Sequence, residues 1–276
     1  MIESQRPSGL LWAAYEYIVM VFGLGLLALI CLLWLPFAMI FYPLMPRKWG
    51  EFLGRRFIAY GFRFYLRCLE IVCAFHLDLS ELDQLRDEGP LILAANHPSL
   101  MDAGLLTSRL PNTVCVMKAA LMDNLLFGAA ARLARYIRNN APLETILSAR
   151  EELRGGAHLV IFPEGTRTQN FPVDPCQKST GLIASRTGVA VQTLLIECST
   201  PYLGKNWPLF KRPALPLRVR IRLGRRFAPP KDVSAFTREL DAYFSQALGS
   251  NSGANLGANS PSTVSNEISS PFGNAH

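Results

Sequence analysis

The hydrophobic positions of this chain are most concentrated near its N-terminus. From Ile18 to Phe41 the sequence carries no charged residue. A helix needs about 20 apolar residues to cross the core of a bilayer, and this run reaches that length. It is too long for the apolar core of a signal peptide, and no small-residue cleavage site follows it. The pattern predicts a membrane anchor over residues 1–46, in which Pro36 and Pro43 allow the segment to bend back instead of crossing straight. A buried core helix is the alternative interpretation.

A different pattern follows, in which basic and aromatic residues alternate from Arg47 to Arg67. Such a helix suits the surface of an anionic membrane, although a basic helix that packs on a domain shows the same pattern. The sequence therefore predicts a separate helix over residues 47–70 and leaves both placements open. Because basic residues concentrate on the cytoplasmic side, we expect the chain to lie on an inner (cytoplasmic) membrane of bacterial type, with the following domain facing the cytoplasm.

From residue 71 to residue 248 short apolar runs alternate with helical patterns. Nearly all-apolar runs of this kind are typical of parallel strands that are buried on both faces. The predicted strands cover residues 71–79, 91–95, 114–117, 159–162, 189–197 and 217–223, and the predicted helices cover residues 122–134, 143–153, 181–186 and 232–248. This alternation predicts an α/β domain, with a mostly parallel sheet flanked by helices and preceded by the N-terminal membrane-associated helices. Residues 249–276 are rich in Ser, Asn, Gly and Pro, so we expect a disordered tail.

Composition and net charge indicate which classes of partner the chain prefers. Half of its residues are hydrophobic, and its formal net charge is +7. A basic protein prefers anionic partners, and the long apolar run favours membrane lipids over nucleic acid. The six cysteines form no C-x-x-C pair, and we expect them to be reduced and buried. No spacing of histidines, cysteines or carboxylates indicates a metal site, and no motif for a bound cofactor is present.

The first block that carries chemistry is NHPSLMD, residues 96–102, directly after the predicted strand at 91–95. Open α/β sheets place their ligands at the carboxyl ends of such strands. His97 and Asp102 can meet if the chain turns at Pro98 and a helix begins just after it. A carboxylate on one imidazole nitrogen fixes the tautomer and leaves the other nitrogen free to act as a base towards a hydroxyl. The spacing alone is weak evidence, since most such pairs are structural.

The second block is FPEGTR, residues 162–167, directly after another predicted strand. Gly165 allows the backbone to approach a ligand closely. Arg167 supplies a planar, permanently charged group that suits phosphate. Glu164 can accept hydrogen bonds from substrate hydroxyls or hold Arg167. In isolation the block also fits a tight turn with a surface ion pair.

Together the two blocks resemble the glycerolphosphate and lysophosphatidate acyltransferase family. The first motif of that family is N-H-x-x-x-x-D and its third is F-P-E-G-T-R, and both occur here in the same order. The joint match is specific. The resemblance covers roughly residues 75–200 together with the N-terminal helices. It implies that His97 is the general base and that Asp102 is its partner.

The resemblance also implies how the acceptor is bound. It matches Glu164 and Arg167 to residues that bind the glycerol and phosphate region of the acceptor, while Gly165 and Thr166 shape the loop. The second family motif is looser, and here it offers Lys118 at the end of a predicted strand. Lys118 fits a phosphate contact and a surface lysine equally well.

The fourth family motif departs from the pattern. Family members usually have a proline-bearing strand, whereas this chain has GVAVQTLLIE from Gly188 to Glu197. If this strand borders the acceptor pocket, Gln192 and Thr193 make its wall more polar and change the choice of acceptor. The alternative is that both side chains point away from the site.

The resemblance implies an enzyme that moves a fatty acyl chain from acyl-CoA or an acyl-carrier protein to the hydroxyl of a lysophospholipid. The first choice of acceptor is 1-acyl-glycerol-3-phosphate, which would give phosphatidic acid, and no cofactor or metal is expected. Two alternatives stay open: an O-acyltransferase of a specialised lipid or pigment pathway, and a non-catalytic membrane adaptor with the same fold. A serine hydrolase is not expected, because the sequence has no G-x-S-x-G motif.

Overall fold

The computed structural model describes residues 9–208 and 210–256. Two long helices precede a domain in which strands and helices alternate along the chain. The helices are α1 (Leu10–Leu44), α2 (Arg47–Val72), α3 (Asp102–Arg109), α4 (Ala119–Asp123), α5 (Leu125–Leu133), α6 (Pro142–Arg154), α7 (Ser179–Thr187) and α8 (Val233–Leu256). The strands are β1 (Phe75–Asp78), β2 (Ile92–Ala95), β3 (Thr113–Lys118), β4 (Ile137–Asn139), β5 (His158–Ile161), β6 (Val191–Cys198) and β7 (Leu217–Phe227). A short 3-10 helix covers Ser80–Leu85.

The strands form one sheet in the order β1-β7-β6-β2-β5-β3-β4. All neighbouring strands are parallel except β6 and β7, which are antiparallel. The α/β fold with a mostly parallel sheet is therefore confirmed. Strands β2 and β5 are adjacent, parallel and buried at every position. Their carboxyl ends meet at one edge of the sheet, and the two sequence blocks, residues 96–102 and 162–167, follow these ends.

Two hydrophobic cores cover the two faces of the sheet. One contains Leu93, Ala95 and Val160 and packs against residues of α2 and α3, such as Leu66 and Leu105. The other contains alternate residues of the same strands and packs against α6, α7 and α8. Because successive side chains of a strand point to opposite faces, both faces need apolar residues, which explains the nearly all-apolar runs in the sequence.

Helix α1 is long and apolar enough to cross a membrane. Its most apolar 18-residue window has a mean hydropathy of 2.8, and only 17% of that window is buried against the rest of the chain. The helix continues through both Pro36 and Pro43, so the bend that the sequence allowed is absent. Some of α1 nevertheless packs on the protein, since Val19, Met20 and Ala38 are buried. It is consistent with membrane association and also belongs to the core.

Helix α2 packs on the domain through one face. A Cβ atom at Gly54 would come within 3.0 Å of the backbone of Leu133 and Ala134, so α2 is in contact with the end of α5 there. Arg55 is buried, forms an ion pair with Glu152 and donates to the Ala134 carbonyl oxygen at 3.2 Å. Arg55 thus attaches α2 to the domain instead of contacting a membrane surface. The exposed face combines basic residues with the aromatic residues Trp49, Phe52, Phe57, Tyr60 and Phe64.

The larger differences between observed and predicted elements lie at four positions. Residues 71 and 72 end helix α2, and Ala74 with a φ of 50° separates it from the short strand β1. The predicted helix at 122–134 is divided at Asn124. Strand β4 was missed because it has only three residues. Helix α8 continues to Leu256, so residues 249–256, which were predicted to begin the disordered tail, are helical; residues 257–276 lie outside the described residues. All six cysteines are free.

Candidate active site

The candidate site lies where β2 and β5 end. His97 follows β2 by two residues, and Phe162 directly follows β5. The two rings stack on each other, with their centroids 3.8 Å apart and their planes at 13°. The two sequence blocks are therefore in contact, as the resemblance implies. His97 is partly open, since 17% of its side chain is exposed.

His97 and Asp102 form the hydrogen-bonded pair that their spacing predicts. The Nδ1 atom of His97 lies 2.7 Å from Oδ2 of Asp102. The same oxygen accepts the backbone N–H of Ser99 at 2.8 Å, because the chain turns after Pro98 and α3 begins at Asp102. A carboxylate only accepts, so Nδ1 carries the proton and Nε2 of the neutral ring keeps its lone pair. This arrangement orients Nε2 to act as a base.

The electrostatics of the pair are set by burial. Asp102 is fully buried, and this desolvation raises the pKa of its carboxyl group, while the hydrogen bond from His97, the Ser99 N–H and the charge of Arg167 act in the opposite direction. Within the described residues, its Oδ1 atom has no hydrogen-bond partner. The hydrogen bonds of Asp102 therefore come from the imidazole of His97 and the Ser99 N–H, and both reach Oδ2.

Glu164 connects the two blocks. It is buried, and its Oε1 atom accepts the His97 backbone N–H at 2.7 Å and the Thr168 hydroxyl at 2.9 Å. Its Oε2 atom accepts the Asp174 backbone N–H at 2.9 Å. The resemblance assigns Glu164 to the acceptor, but both oxygens are engaged by the protein. The geometry gives Glu164 a positioning role, and it holds His97 rather than Arg167.

Gly165 and Thr166 form the turn after Glu164. The Gly165 N–H donates to the Phe162 carbonyl oxygen at 2.9 Å, and its φ of 69° lies in the left-handed region that favours glycine. A Cβ atom there would lie 2.4 Å from the side-chain amide of Gln177. Gly165 is thus required by the packing of its own loop. Thr166 is half-buried.

Arg167 points to the segment that joins β6 and β7, residues 199–216, which we call the β6–β7 loop. Its Nη1 atom donates to the carbonyl oxygens of Leu203 and Gly204, each at 2.9 Å. In the described part of the chain, Nε and Nη2 of Arg167 have no hydrogen-bond partner. The guanidinium group is fixed by one nitrogen, and the other two remain available to an anion.

Lys118 is not in contact with the other candidate residues. It ends β3, where its backbone is level with Asn139 of β4, and its exposed side chain makes no hydrogen bond or ion pair with any described residue. Cys115 is level with Val160 and Leu93 in the sheet, so Lys118 lies near the level of Asn96. Because β5 separates β3 from β2, the two backbones are about 10 Å apart. A long lysine side chain can span part of that distance.

Sequence reasoning missed Asn96 as a site residue. Its amide oxygen accepts the Ile196 N–H at 2.7 Å, and its amide nitrogen donates to the Ile196 carbonyl oxygen at 2.9 Å. Asn96 thereby fastens the end of β2 to β6 immediately before His97. The signal was present, since Asn96 belongs to the N-H-x-x-x-x-D motif, but its partner is 100 positions away.

Cys198 ends β6 close to the pair. Burial, together with the nearby carboxylates of Asp102 and Glu197, raises the pKa of its thiol to about 12. A thiol with this pKa stays protonated at neutral pH and is a poor nucleophile. Cys198 therefore offers no rival covalent mechanism.

The polar residues of β6 do not border the site. Gln192 donates to the Gly224 carbonyl oxygen at 2.7 Å, and the Thr193 hydroxyl donates to the Arg225 carbonyl oxygen at 2.7 Å. Both side chains are buried at an irregularity in the β6–β7 pairing. Gln192 is four residues from Ile196, about 13 Å along the strand. These hydrogen bonds favour the alternative that both side chains point away from the site, because they are used at the irregularity in the pairing.

Comparisons with known proteins agree with this geometry. Residues 76–197 match the Acyltransferase family. A chloroplastic 1-acyl-sn-glycerol-3-phosphate acyltransferase of Arabidopsis thaliana is 23% identical over 162 residues, which cover 56% of this chain and 43% of that protein. A putative 1-acyl-sn-glycerol-3-phosphate acyltransferase of Caenorhabditis elegans is 24% identical over 174 residues, 60% of each chain. The matched regions thus span about half the length of these relatives.

A solved structure shares the fold. The crystal structure of the 1-acyl-sn-glycerophosphate acyltransferase PlsC from Thermotoga maritima superposes with a TM-score of 0.64 at 17% identity, covering 85% of this chain and 96% of that chain. The two sequence blocks meet at one sheet edge, and both lie within residues 76–197, which match the Acyltransferase family. Residues 76–197 therefore match an acyltransferase domain, and the chain is similar to 1-acyl-sn-glycerol-3-phosphate acyltransferases.

Proposed function

We propose that this protein transfers a fatty acyl chain from a thioester to the hydroxyl of a lysophospholipid. The observation that carries the proposal is the His97–Asp102 hydrogen bond of 2.7 Å, which leaves Nε2 of a partly exposed imidazole free. Arg167 lies near enough to act on the Asp102 charge. A base and a cation that share one sheet edge suit the deprotonation of a hydroxyl on an anionic molecule.

In the proposed mechanism Nε2 of His97 removes the proton from the acceptor hydroxyl as its oxygen attacks the thioester carbonyl. The tetrahedral intermediate then expels the thiolate, which takes the proton from the imidazolium. Asp102 stays ionised and stabilises the imidazolium through its Nδ1–H. One ester bond forms and one thioester bond breaks, and the single proton moves from the hydroxyl to the thiol.

The acceptor we propose is 1-acyl-glycerol-3-phosphate, which would give phosphatidic acid. Nε and Nη2 of Arg167 would bind its phosphate, and Lys118 would approach from the end of β3. The net charge of +7 suits this anionic acceptor and either acidic donor, acyl-CoA or an acyl-carrier protein. Gln192 and Thr193 face the β6–β7 pairing, so no residue of this strand motivates a specialised acceptor.

We also propose that the reaction takes place at an inner (cytoplasmic) membrane, on its cytoplasmic side. Helix α1 supplies one span that is long and apolar enough. The exposed aromatic face of α2, with Trp49, Phe52 and Tyr60, would lie at the interface, where aromatic rings are favoured. A lysophospholipid held in the same membrane would then need no transfer through water to reach His97.

The test is thioester consumption by the purified full chain in detergent micelles, with lysophosphatidate as acceptor. His97→Ala is expected to abolish turnover, and Asp102→Asn to reduce it about 10²–10⁴-fold, as for other carboxylates that fix a tautomer. The matched control is His76→Ala, because His76 is exposed and has Glu81 at the same spacing. If the wild-type protein consumes no thioester with any lysophospholipid, the adaptor alternative replaces the proposal.

A further inference from the structure

One charged residue interrupts the apolar helix α1. Glu16 is the only Asp, Glu, Lys or Arg between Leu10 and Leu44. It is buried, with only 6% of the residue exposed. A carboxylate in such surroundings is costly unless it is paired and hydrogen-bonded. Its partners therefore show what this residue does.

Both partners of Glu16 lie at the end of the β6–β7 loop. Its Oε1 atom accepts the backbone N–H of Leu215 at 3.3 Å, and its Oε2 atom lies 3.4 Å from Nε of Arg212. The guanidinium group of Arg212 also lies 5.6 Å from the ring centre of Tyr17, the next residue of α1. The helix thus holds this end of the loop by a backbone hydrogen bond, an ion pair and a cation–π contact.

The middle of the same loop reaches the candidate active site. The carbonyl oxygen of Leu203 accepts the N–H of Leu100, inside the His97 block, at 3.0 Å. The carbonyl oxygens of Leu203 and Gly204 both accept Nη1 of Arg167. Tyr202 is buried and packs edge-on against the rings of Phe75 and Trp207. One part of the loop therefore contacts the Arg167 guanidinium group, and another part contacts α1.

We propose that Glu16 is a positioning residue for the acceptor. By fixing the end of the β6–β7 loop it holds the two carbonyl groups that orient Arg167, so that Nε and Nη2 face the acceptor phosphate. Helix α1 then contributes to acceptor binding as well as to membrane association. This inference rests on the proposed function for the identity of the acceptor, whereas the contacts between α1 and the loop do not depend on it.

Two substitutions separate the contributions of Glu16. Glu16→Leu suits an apolar helix but leaves the buried N–H of Leu215 without an acceptor, and it leaves Arg212 unpaired. Glu16→Gln keeps an oxygen for the Leu215 N–H and loses only the charge. Glu16→Leu is therefore expected to loosen the β6–β7 loop more than Glu16→Gln does, and both more than in the wild-type protein.

Glu81 provides a matched control on the same chain. Its carboxylate also accepts one backbone N–H, from Leu223 at 2.8 Å, and one arginine, Arg220 at 3.3 Å. These contacts hold β7 and do not touch the β6–β7 loop. Glu81→Leu thus removes the same kinds of interaction without reaching Arg167.

The experiment measures acceptor KM, kcat and hydrogen–deuterium exchange of residues 199–216 for the full chain in detergent micelles. Glu16→Leu is expected to raise acceptor KM by about tenfold or more, the equivalent of about 1.4 kcal/mol, with kcat changed less than about threefold. Loop exchange should become faster, and Glu16→Gln should lie between. Glu81→Leu should leave acceptor KM and loop exchange at their wild-type values.

The outcomes separate this inference from the proposed function. Wild-type values of acceptor KM and loop exchange in Glu16→Leu would overturn the inference, as would equal changes in Glu81→Leu. A fall in kcat alone would assign Glu16 to general stability and would also overturn it. If the wild-type protein transfers no acyl group, the proposed function fails, and the exchange data alone decide whether Glu16 holds the loop.

Discussion

Replacing Glu164 by glutamine distinguishes two roles for this residue. The family resemblance assigns Glu164 to acceptor binding, whereas in the structure its oxygens accept from His97, Thr168 and Asp174. Glutamine has nearly the same shape and keeps one oxygen. That oxygen can still accept the His97 N–H and the Thr168 hydroxyl, but the amide nitrogen then faces the Asp174 N–H, so that two donors meet.

The magnitude follows from these contacts. Hydrogen bonds to a charged group contribute about 1.5–3 kcal/mol each, and an unpaired buried donor costs about 1–3 kcal/mol. Burial raises the pKa of Glu164, so removing the charge also relieves part of the desolvation cost. The net loss expected is about 1–3 kcal/mol of unfolding free energy, or about 3–10 °C in Tm. A shift of His97 of the order of 1 Å would lower kcat by about 10²-fold.

Thermal unfolding and steady-state kinetics on the same preparation provide the measurement. Glu164→Gln should lower Tm and kcat together and leave acceptor KM within about threefold of the wild-type value. Glu144→Gln is the control, because Glu144 is exposed on α6. A raised acceptor KM with unchanged Tm and kcat would refute the positioning role and place Glu164 on the acceptor.

Three further predictions follow from single contacts. Arg167→Lys should raise acceptor KM more than it lowers kcat, because lysine cannot bind two carbonyl groups and a phosphate with separate nitrogens. Acceptor titration measures both constants, and an unchanged KM would remove Arg167 from the phosphate site. Gly54→Ala should lower the free energy of unfolding by about 1–3 kcal/mol, since its Cβ would meet backbone atoms. Gly61→Ala on the same helix is the control and should leave the free energy of unfolding unchanged, because its Cβ would meet only a methyl group at 3.8 Å. Burial lowers the pKa of His158, so the unfolded chain binds a proton that the folded chain excludes. Stability should then fall as pH drops below about 6.5, and Tm of His158→Gln should fall less over that range.

The sequence predicted the fold because the sheet is buried on both faces. Strand β2 contains only apolar residues and lies within the predicted run at 91–95, while β5 is apolar after His158 and overlaps the predicted run at 159–162. Burial on both faces makes a strand nearly all apolar, so such strands can be predicted from the sequence. Strand β1 was less readable, because the apolar alternation at 71–79 is shared between the end of a helix and a strand. At that junction the backbone conformation of Ala74, not the pattern, decides the boundary.

Within the site, the contact between His97 and Asp102 was predicted from the sequence, whereas the contacts that support the two residues were not. His97 and Asp102 could be paired from sequence because only a few residue types can act as a base and its orienting carboxylate. The role of Glu164 could not, since two of its three partners are backbone N–H groups, which nearly every residue possesses. A carboxylate in a motif then suggests a ligand, even where it holds the protein's own backbone. The partners of Gln192 and Thr193 were hidden for a similar reason, since both side chains donate to backbone carbonyl oxygens.

Sequence separation explains why the remaining contacts stayed hidden. The hydrogen bonds of Glu164 to His97, of Asn96 to Ile196 and of Glu16 to Leu215 join residues 67, 100 and 199 positions apart. In each case a polar side chain meets a backbone group of another element, so no pair of residue types marks the contact. Glu16 differs in one respect, because a single charge within an apolar helix is itself improbable. Its position indicated that the helix must meet a polar partner, and therefore that α1 serves the folded domain as well as the membrane.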